Sequence, residues 1–160
     1  EAHAAETLKP MSTGPTAVHE VAGEVCRSLA ITAAEKGARL QVRGRGSCDC
    51  DPDALARVLI NLVENALKFG ATEVEVVCGS QGVDVLDNGP GFTEEDLGRA
   101  FSKFARLSAR PTGGEPSTGL GLFIVRSLVE AMGGEVELTN REPRGARFTL
   151  RLAQSSRGGS

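Results

Sequence analysis

The sequence predicts a two-layer α/β sandwich, with helices covering one face of a mixed β-sheet. Three observations predict it. Segments near 16–37, 51–69 and 119–132 space their apolar residues at the helical period. Stretches near 38–44, 72–87, 135–140 and 146–152 alternate apolar and polar residues, as half-buried strands do. The 160 residues are 40% hydrophobic and 24% charged, globular values that supply one core of ordinary size. Helices with one apolar stripe and strands with one apolar face bury them against each other.

Residues 1–15 are polar, contain Pro10, Gly14 and Pro15, and read as a linker or extended lead-in. From 16 to 37, Val18, Val21, Ala22, Val25 and Leu29 recur at helical spacing, which predicts one amphipathic helix stopped near Gly37. "ARLQVRG" reads as a short strand carrying Leu40 and Val42 on one face. Asp51-Pro52-Asp53 opens a helix running to about Phe69, with an acidic cap and Gly70 as its stop. "TEVEVVCGSQGVDVLD" reads as two strands joined by a Gly-containing turn. Thr93 is a natural N-cap for a short helix reaching about residue 104, and Glu94, Glu95 and Asp96 suit its N-terminus. Residues 105–118, rich in Gly, Pro, Ser and Thr, are expected to form a mobile loop. Another amphipathic helix over 119–132 is closed by Gly133-Gly134, and "EVELTN" and "ARFTLRL" read as a closing pair of strands. Residues 154–160 read as a flexible tail. The chain opens on Glu1 rather than Met, so it is expected to be a piece of a longer polypeptide.

Bulk properties exclude several function classes. A formal net charge of −3 leaves no footprint for nucleic acid and no polybasic membrane patch. No apolar run approaches the ~20 residues of a membrane span, and no signal-peptide pattern opens the chain. Cys48-Asp49-Cys50 is one close pair where a zinc site needs two, so Cys26, Cys48, Cys50 and Cys78 read as free thiols. His3 and His19 have no partners at ligand spacing.

Three stretches carry chemistry. In "DVLDNGPGF", a carboxylate, an amide and glycines follow an apolar run; alone, this reads better as a surface turn. In "LARVLINLVENALKFG", Leu55, Val58, Leu59, Leu62, Val63, Ala66 and Phe69 form a core arc. Asn61, Asn65 and Lys68 form a second stripe, with Arg57 and Glu64 beside it. Plain surface favours better helix formers than Asn. An Asn oxygen can ligate Mg²⁺ and a Lys can neutralise phosphate. In "STGLGLFIV", Gly-Leu-Gly before a helix lets backbone amides approach phosphate oxygens.

Together these stretches resemble the ATP-binding catalytic domain of bacterial sensor histidine kinases, in the superfamily shared with gyrase and the MutL ATPases. "LINLVENALKF" is similar to the N box, "DNGPGF" to the G1 box, "FSKFARL" to the F box and "STGLGL" to the G2 box, in the family's order. The resemblance implies an ATP-binding catalytic domain over 16–153, with a mostly antiparallel sheet and a flexible ATP lid. It implies ATP and Mg²⁺ as cofactors, with Asn65 on the metal and Asn61 assisting. Lys68 would contact phosphate, and Phe69 and Phe92 would lie at the base. Asp87 would accept from the adenine amine, while Gly89 and Gly91 let the chain pass the ring. Phe101 and Phe104 would anchor the lid or, equally, fill the core. Arg106 would reach the γ-phosphate, and Thr118, Gly119, Leu120, Gly121 and Leu122 would wrap the phosphates. Ser117 stands where the family often has Gly.

The resemblance also separates kinase from hydrolase. Water-activating members carry a glutamate four residues before the metal asparagine; here that residue is Asn61, which takes no proton at neutral pH. The expected reaction is therefore transfer to a histidine on a separate dimerisation hairpin, with a response regulator as the next partner. Neither His3 nor His19 sits in a phosphoacceptor setting, so this chain is expected to bind Mg–ATP as a monomer and to do little chemistry alone, in the cytoplasm, within a homodimeric parent that is either free or membrane-anchored. The alternatives are an anti-sigma-type serine kinase on the same fold, or a degenerate signalling module.

Overall fold

The computed structural model describes residues 11–103 and 120–154. Its elements run β1 (Gly14–Ala17), α1 (Val18–Ser28), α2 (Ala30–Glu35), β2 (Arg39–Gly44), β3 (Ser47–Cys50), α3 (Pro52–Lys68), β4 (Glu73–Gly79), β5 (Gly82–Asp87), α4 (Glu94–Leu97), α5 (Gly121–Ala131), β6 (Glu135–Asn140), β7 (Ala146–Arg151) and β8 (Ala153–Gln154). A five-stranded sheet has the order β2-β4-β5-β7-β6. The β2–β4 pair is parallel and the remaining pairs are antiparallel, so the sheet is mixed and mostly antiparallel, as predicted.

Strand alternation decides the two faces. Val74, Val76 and Cys78 of β4, Val83 and Val85 of β5, and Phe148 and Leu150 of β7 are buried beneath α1, α3 and α5. The opposite face carries cross-strand ion pairs: Arg39 to Glu73 at 3.3 Å, Arg43 to Glu75 at 2.6 Å, Arg147 to Asp84 at 2.6 Å and Arg151 to Glu137 at 2.7 Å. Exposed pairs of this kind are worth about 0–1 kcal/mol each, so this face solubilises the sheet more than it stabilises it.

α3 is the central helix. Asp51 caps it, its Oδ1 accepting from Asp53 N at 2.8 Å and Ala54 N at 3.1 Å, and Pro52 occupies the first turn. Leu55, Val58, Leu59, Leu62, Val63 and Ala66 are buried along its inner arc, with Leu67 beside them.

Some predicted boundaries differ. The segment 16–37 is not one helix: Thr16 belongs to β1, α1 ends at Ser28, and Leu29 (φ −104°, ψ 7°) separates it from α2. Gly14 and Pro15 of the expected lead-in also lie in β1, which pairs antiparallel with β3. That pairing, with the bond from Thr16 Oγ1 to Cys50 O at 2.8 Å, overrides the local helical period. Strand β3 itself was not predicted; its alternation turns Cys48 and Cys50 inward, and β8 completes a second, three-stranded sheet, β1-β3-β8. The short helix after Thr93 covers Glu94–Leu97 alone, with turns after it. All four cysteines are free, and no cluster among the described residues suits a metal.

Candidate functional site

The inward row of β5 reads Val83, Val85, Asp87, so a carboxylate stands where a third apolar side chain would continue the core. Asp87 is 6% exposed. Its Oδ1 accepts from Gly89 N at 2.8 Å and from Ala146 N at 3.3 Å, while Oδ2 accepts no hydrogen bond from the described residues. Burial pushes the carboxyl's pKa above the ordinary aspartate value. The Gly89 and Ala146 amides, then the Arg141 and Arg144 guanidiniums, pull it back part of the way.

Asp87 lies at the wall of an open pocket of about 310 Å³. Asn65, Ala66 and Phe69 line it from the last turn of α3, Gly89 to Phe92 from the loop after β5, and Ala146 from β7. Three chain segments distant in sequence thus converge where the N-box and G1-box resemblances expected a base to sit. The adjacent Asn88 points elsewhere: its Oδ1 accepts from Thr72 N at 2.8 Å and Glu73 N at 3.0 Å, and its Nδ2 donates to Thr72 Oγ1 at 2.9 Å. Asn88 therefore serves the turn and Asp87 serves the pocket.

The glycines have reasons internal to the protein. Gly91 has φ +77°, and a Cβ there would stand 2.9 Å from Asn140 Oδ1; at Gly89 a Cβ would meet Asp87 Oδ1 at 3.1 Å. Phe92 lines the pocket and meets Phe148 edge-on, with centroids 6.1 Å apart. Phe101 makes the same edge-on contact with Phe148 at 6.1 Å, which places it against the core.

On the stripe of α3, Asn61, Asn65 and Lys68 are half-buried while Glu64 is exposed. Asn61 faces the start of α5, since a Cβ on Gly121 would lie 3.8 Å from its Oδ1. Leu120 is the N-cap residue of α5 and supplies no side-chain capping bond. The side chain of Leu122 is buried in the core, because it falls on the inner arc of α5 with Val125 and Val129, which leaves its backbone for a ligand. Phe104, Arg106, Thr118 and Gly119 lie outside the described residues.

Sequence reasoning missed the β6–β7 turn. Asn140 Oδ1 accepts from Phe92 N at 2.9 Å and its Nδ2 donates to Phe92 O at 2.7 Å. Arg141 Nη1 donates to Asp87 O at 2.9 Å, and Arg144 Nε donates to Gly89 O at 2.9 Å. The only local signal is two arginines in a short turn, "NREPRG", which does not reveal what they touch.

The family described as histidine kinase-, DNA gyrase B- and HSP90-like ATPase matches residues 50–156. Sensor protein SrrB of Staphylococcus aureus (strain NCTC 8325 / PS 47) is 32% identical over 108 residues, which are 64% of this chain and 18% of SrrB. The catalytic domain of histidine kinase ThkA superposes with a TM-score of 0.75 at 26% identity, covering 91% of this chain and 97% of that one. Full-length ShkA in complex with AMPPNP gives 0.72 at 27% identity, over 92% of this chain and 32% of ShkA. The mycobacterial sensor histidine kinase MprB gives 0.75 at 22% identity, over 88% and 98%, a likeness of fold.

Proposed function

The chain belongs to the histidine kinase-, DNA gyrase B- and HSP90-like ATPase family, and from that premise we propose that it binds Mg–ATP and donates the γ-phosphate to a histidine on a separate helical-hairpin domain. The observation that carries this reading is the open Oδ2 of a buried aspartate in a pocket whose other walls are Asn65, Phe69, Gly91 and Phe92. A buried carboxylate needs donors, and the exocyclic amine of adenine supplies one to the oxygen that has none from the described residues. The apolar walls Phe69 and Phe92 suit a flat ring. That ShkA was solved with AMPPNP supports a nucleotide as occupant.

The amide stripe suits the polar end of the same ligand. Asn65 is the residue that would hold Mg²⁺, an amide oxygen being a hard ligand for it; when bound, the ion would neutralise charge on the phosphates. Asn61, facing Gly121, would help align the phosphates against the amides that open α5, whose N-cap residue Leu120 supplies no side-chain cap. Lys68 adds positive charge in the last turn of α3. Because Asn61 cannot act as a base, water is not activated, and the acceptor must bring its own nucleophile. A response regulator would then receive the phosphoryl group.

Calorimetric titration of ATP with and without Mg²⁺ tests the binding. The expected result is an affinity that Mg²⁺ raises, with the Mg²⁺-dependent increment lost in Asn65→Ala. An Asn65→Ala variant with the full increment would refute the metal assignment. Transfer is tested by adding a phosphoacceptor hairpin with labelled ATP, where label on the histidine is expected and inorganic phosphate alone would refute it.

A further inference from the structure

We propose that the β6–β7 turn is the clasp of the nucleotide pocket, with Arg141 and Arg144 as positioning residues that hold the backbone of 87–89 in its binding form. The inference rests on the ATP-binding reading above. The pairing of β5 with β7 ends at Leu86 opposite Arg147, while Asp87 still pairs with Val74 of β4, so β5 loses its β7-side partner at the residue that carries the carboxylate. Carbonyls leaving a ladder need other partners. The turn supplies them: Arg141 Nη1 donates to Asp87 O at 2.9 Å, and Arg144 Nε donates to Asn88 O at 3.1 Å and Gly89 O at 2.9 Å. Asn140 closes the far end by binding both backbone groups of Phe92. Gly145 (φ +113°) lets the turn press this close, since a Cβ there would fall 2.0 Å from Asp87 O.

The two arginines also act by charge. Burial favours the neutral carboxyl of Asp87, and the cations opposing it are Arg141 and Arg144, both on this turn. Among the described residues, the other elements around Asp87 present Asn65 and Phe69 from α3, Val74 from β4 and Ala146 from β7, none of them titratable. The clasp therefore keeps Oδ2 aimed and opposes its protonation, which matters because a carboxylate accepts freely from an amine.

The test compares Arg141→Gln/Arg144→Gln with Arg141→Lys/Arg144→Lys in the chain as it stands. ATP affinity is measured by calorimetry across the acid and neutral range. The Gln pair is expected to bind about tenfold more weakly at neutral pH, with the acid loss of affinity moved to higher pH. The Lys pair keeps the charge and is expected to leave that acid limb in place even where affinity falls. Amide exchange without nucleotide gives a second readout: Gly89 and Phe92 exchange faster in the Gln pair, while the β4–β5 ladder exchanges as in the wild type. Unchanged exchange at those two amides, or an acid limb that stays put, overturns the proposal. Should the wild type fail to bind ATP, the nucleotide reading falls and exchange alone decides the clasp. If circular dichroism shows the Gln pair unfolded, Asn140→Ala is read the same way at Phe92.

Discussion

At the scale of single residues, Asp87 is where stability and function part. Its folded pKa is raised, so the protonated form is the one folding favours. The stability it contributes is fully present below the ordinary value of 3.8 and is lost as pH rises through the raised folded value. At neutral pH the ionised carboxylate is thus a cost to the free protein. Asp87→Asn keeps an oxygen for Gly89 N and Ala146 N and removes the buried charge. Its melting temperature without ligand should equal or exceed that of the wild type, while ATP affinity drops roughly 10- to 100-fold. Differential scanning calorimetry and titration on the same sample check both halves, and a clear fall in melting temperature would contradict the account. The aspartate was legible in the sequence through the G1-box resemblance of "DNGPGF", and the alternation of 83, 85 and 87 accounts for its inward aim. Arg141 and Arg144 were not, since a turn arginine can reach in any direction and only the tertiary fold selects one.

At the scale of elements, α3 was the most legible part of the chain. Its cap, proline, apolar arc and amide stripe agree with one another, so local and tertiary preferences reinforce. Asp51 is the cap and also accepts from Ser12 N at 2.7 Å, tying the segment before β1 to the helix start. Asp51→Ala is expected to cost about 1–2 kcal/mol, read as a lower urea midpoint with an unchanged slope. Short strands were the least legible. β1 spans Gly14–Ala17 and finds its partner thirty or more residues on, at Ser47–Cys50, so nothing nearby in sequence marks it as a strand. The same remoteness hid β3, whose pleat turns both cysteines inward. Burial pushes the Cys48 thiol up to about 11, with Cys50 nearby adding to the shift. Thiol reagents at mildly alkaline pH should therefore label Cys48 slowly in the native protein and rapidly in urea. Fast native labelling would show that β3 opens readily.

At the scale of the whole molecule, the two-layer architecture was legible because composition and periodicity leave few ways to bury three striped helices and an alternating sheet. The pocket follows from that architecture: it opens where α3 ends, β5 leaves the sheet and the β6–β7 turn folds back. A ligand there bridges both layers, so it should stabilise the domain as a unit. ATP at a hundred times its dissociation constant is expected to raise the melting temperature by roughly 5–10 °C, an effect cut to roughly 1–5 °C in Asp87→Asn at the same ATP concentration.

The small sheet has a mechanical consequence. β1 and β8 flank β3 and both run antiparallel to it, with Gly14 opposite Cys50 and Gln154 opposite Cys48. Polypeptide joined to either side of the domain therefore enters and leaves beside one strand. Tension between residues 14 and 154 would shear these short ladders along their length, stressing several bonds at once. The five-stranded sheet and its pocket would stay outside the line of force, so a pull on the neighbouring chain need not disturb the nucleotide.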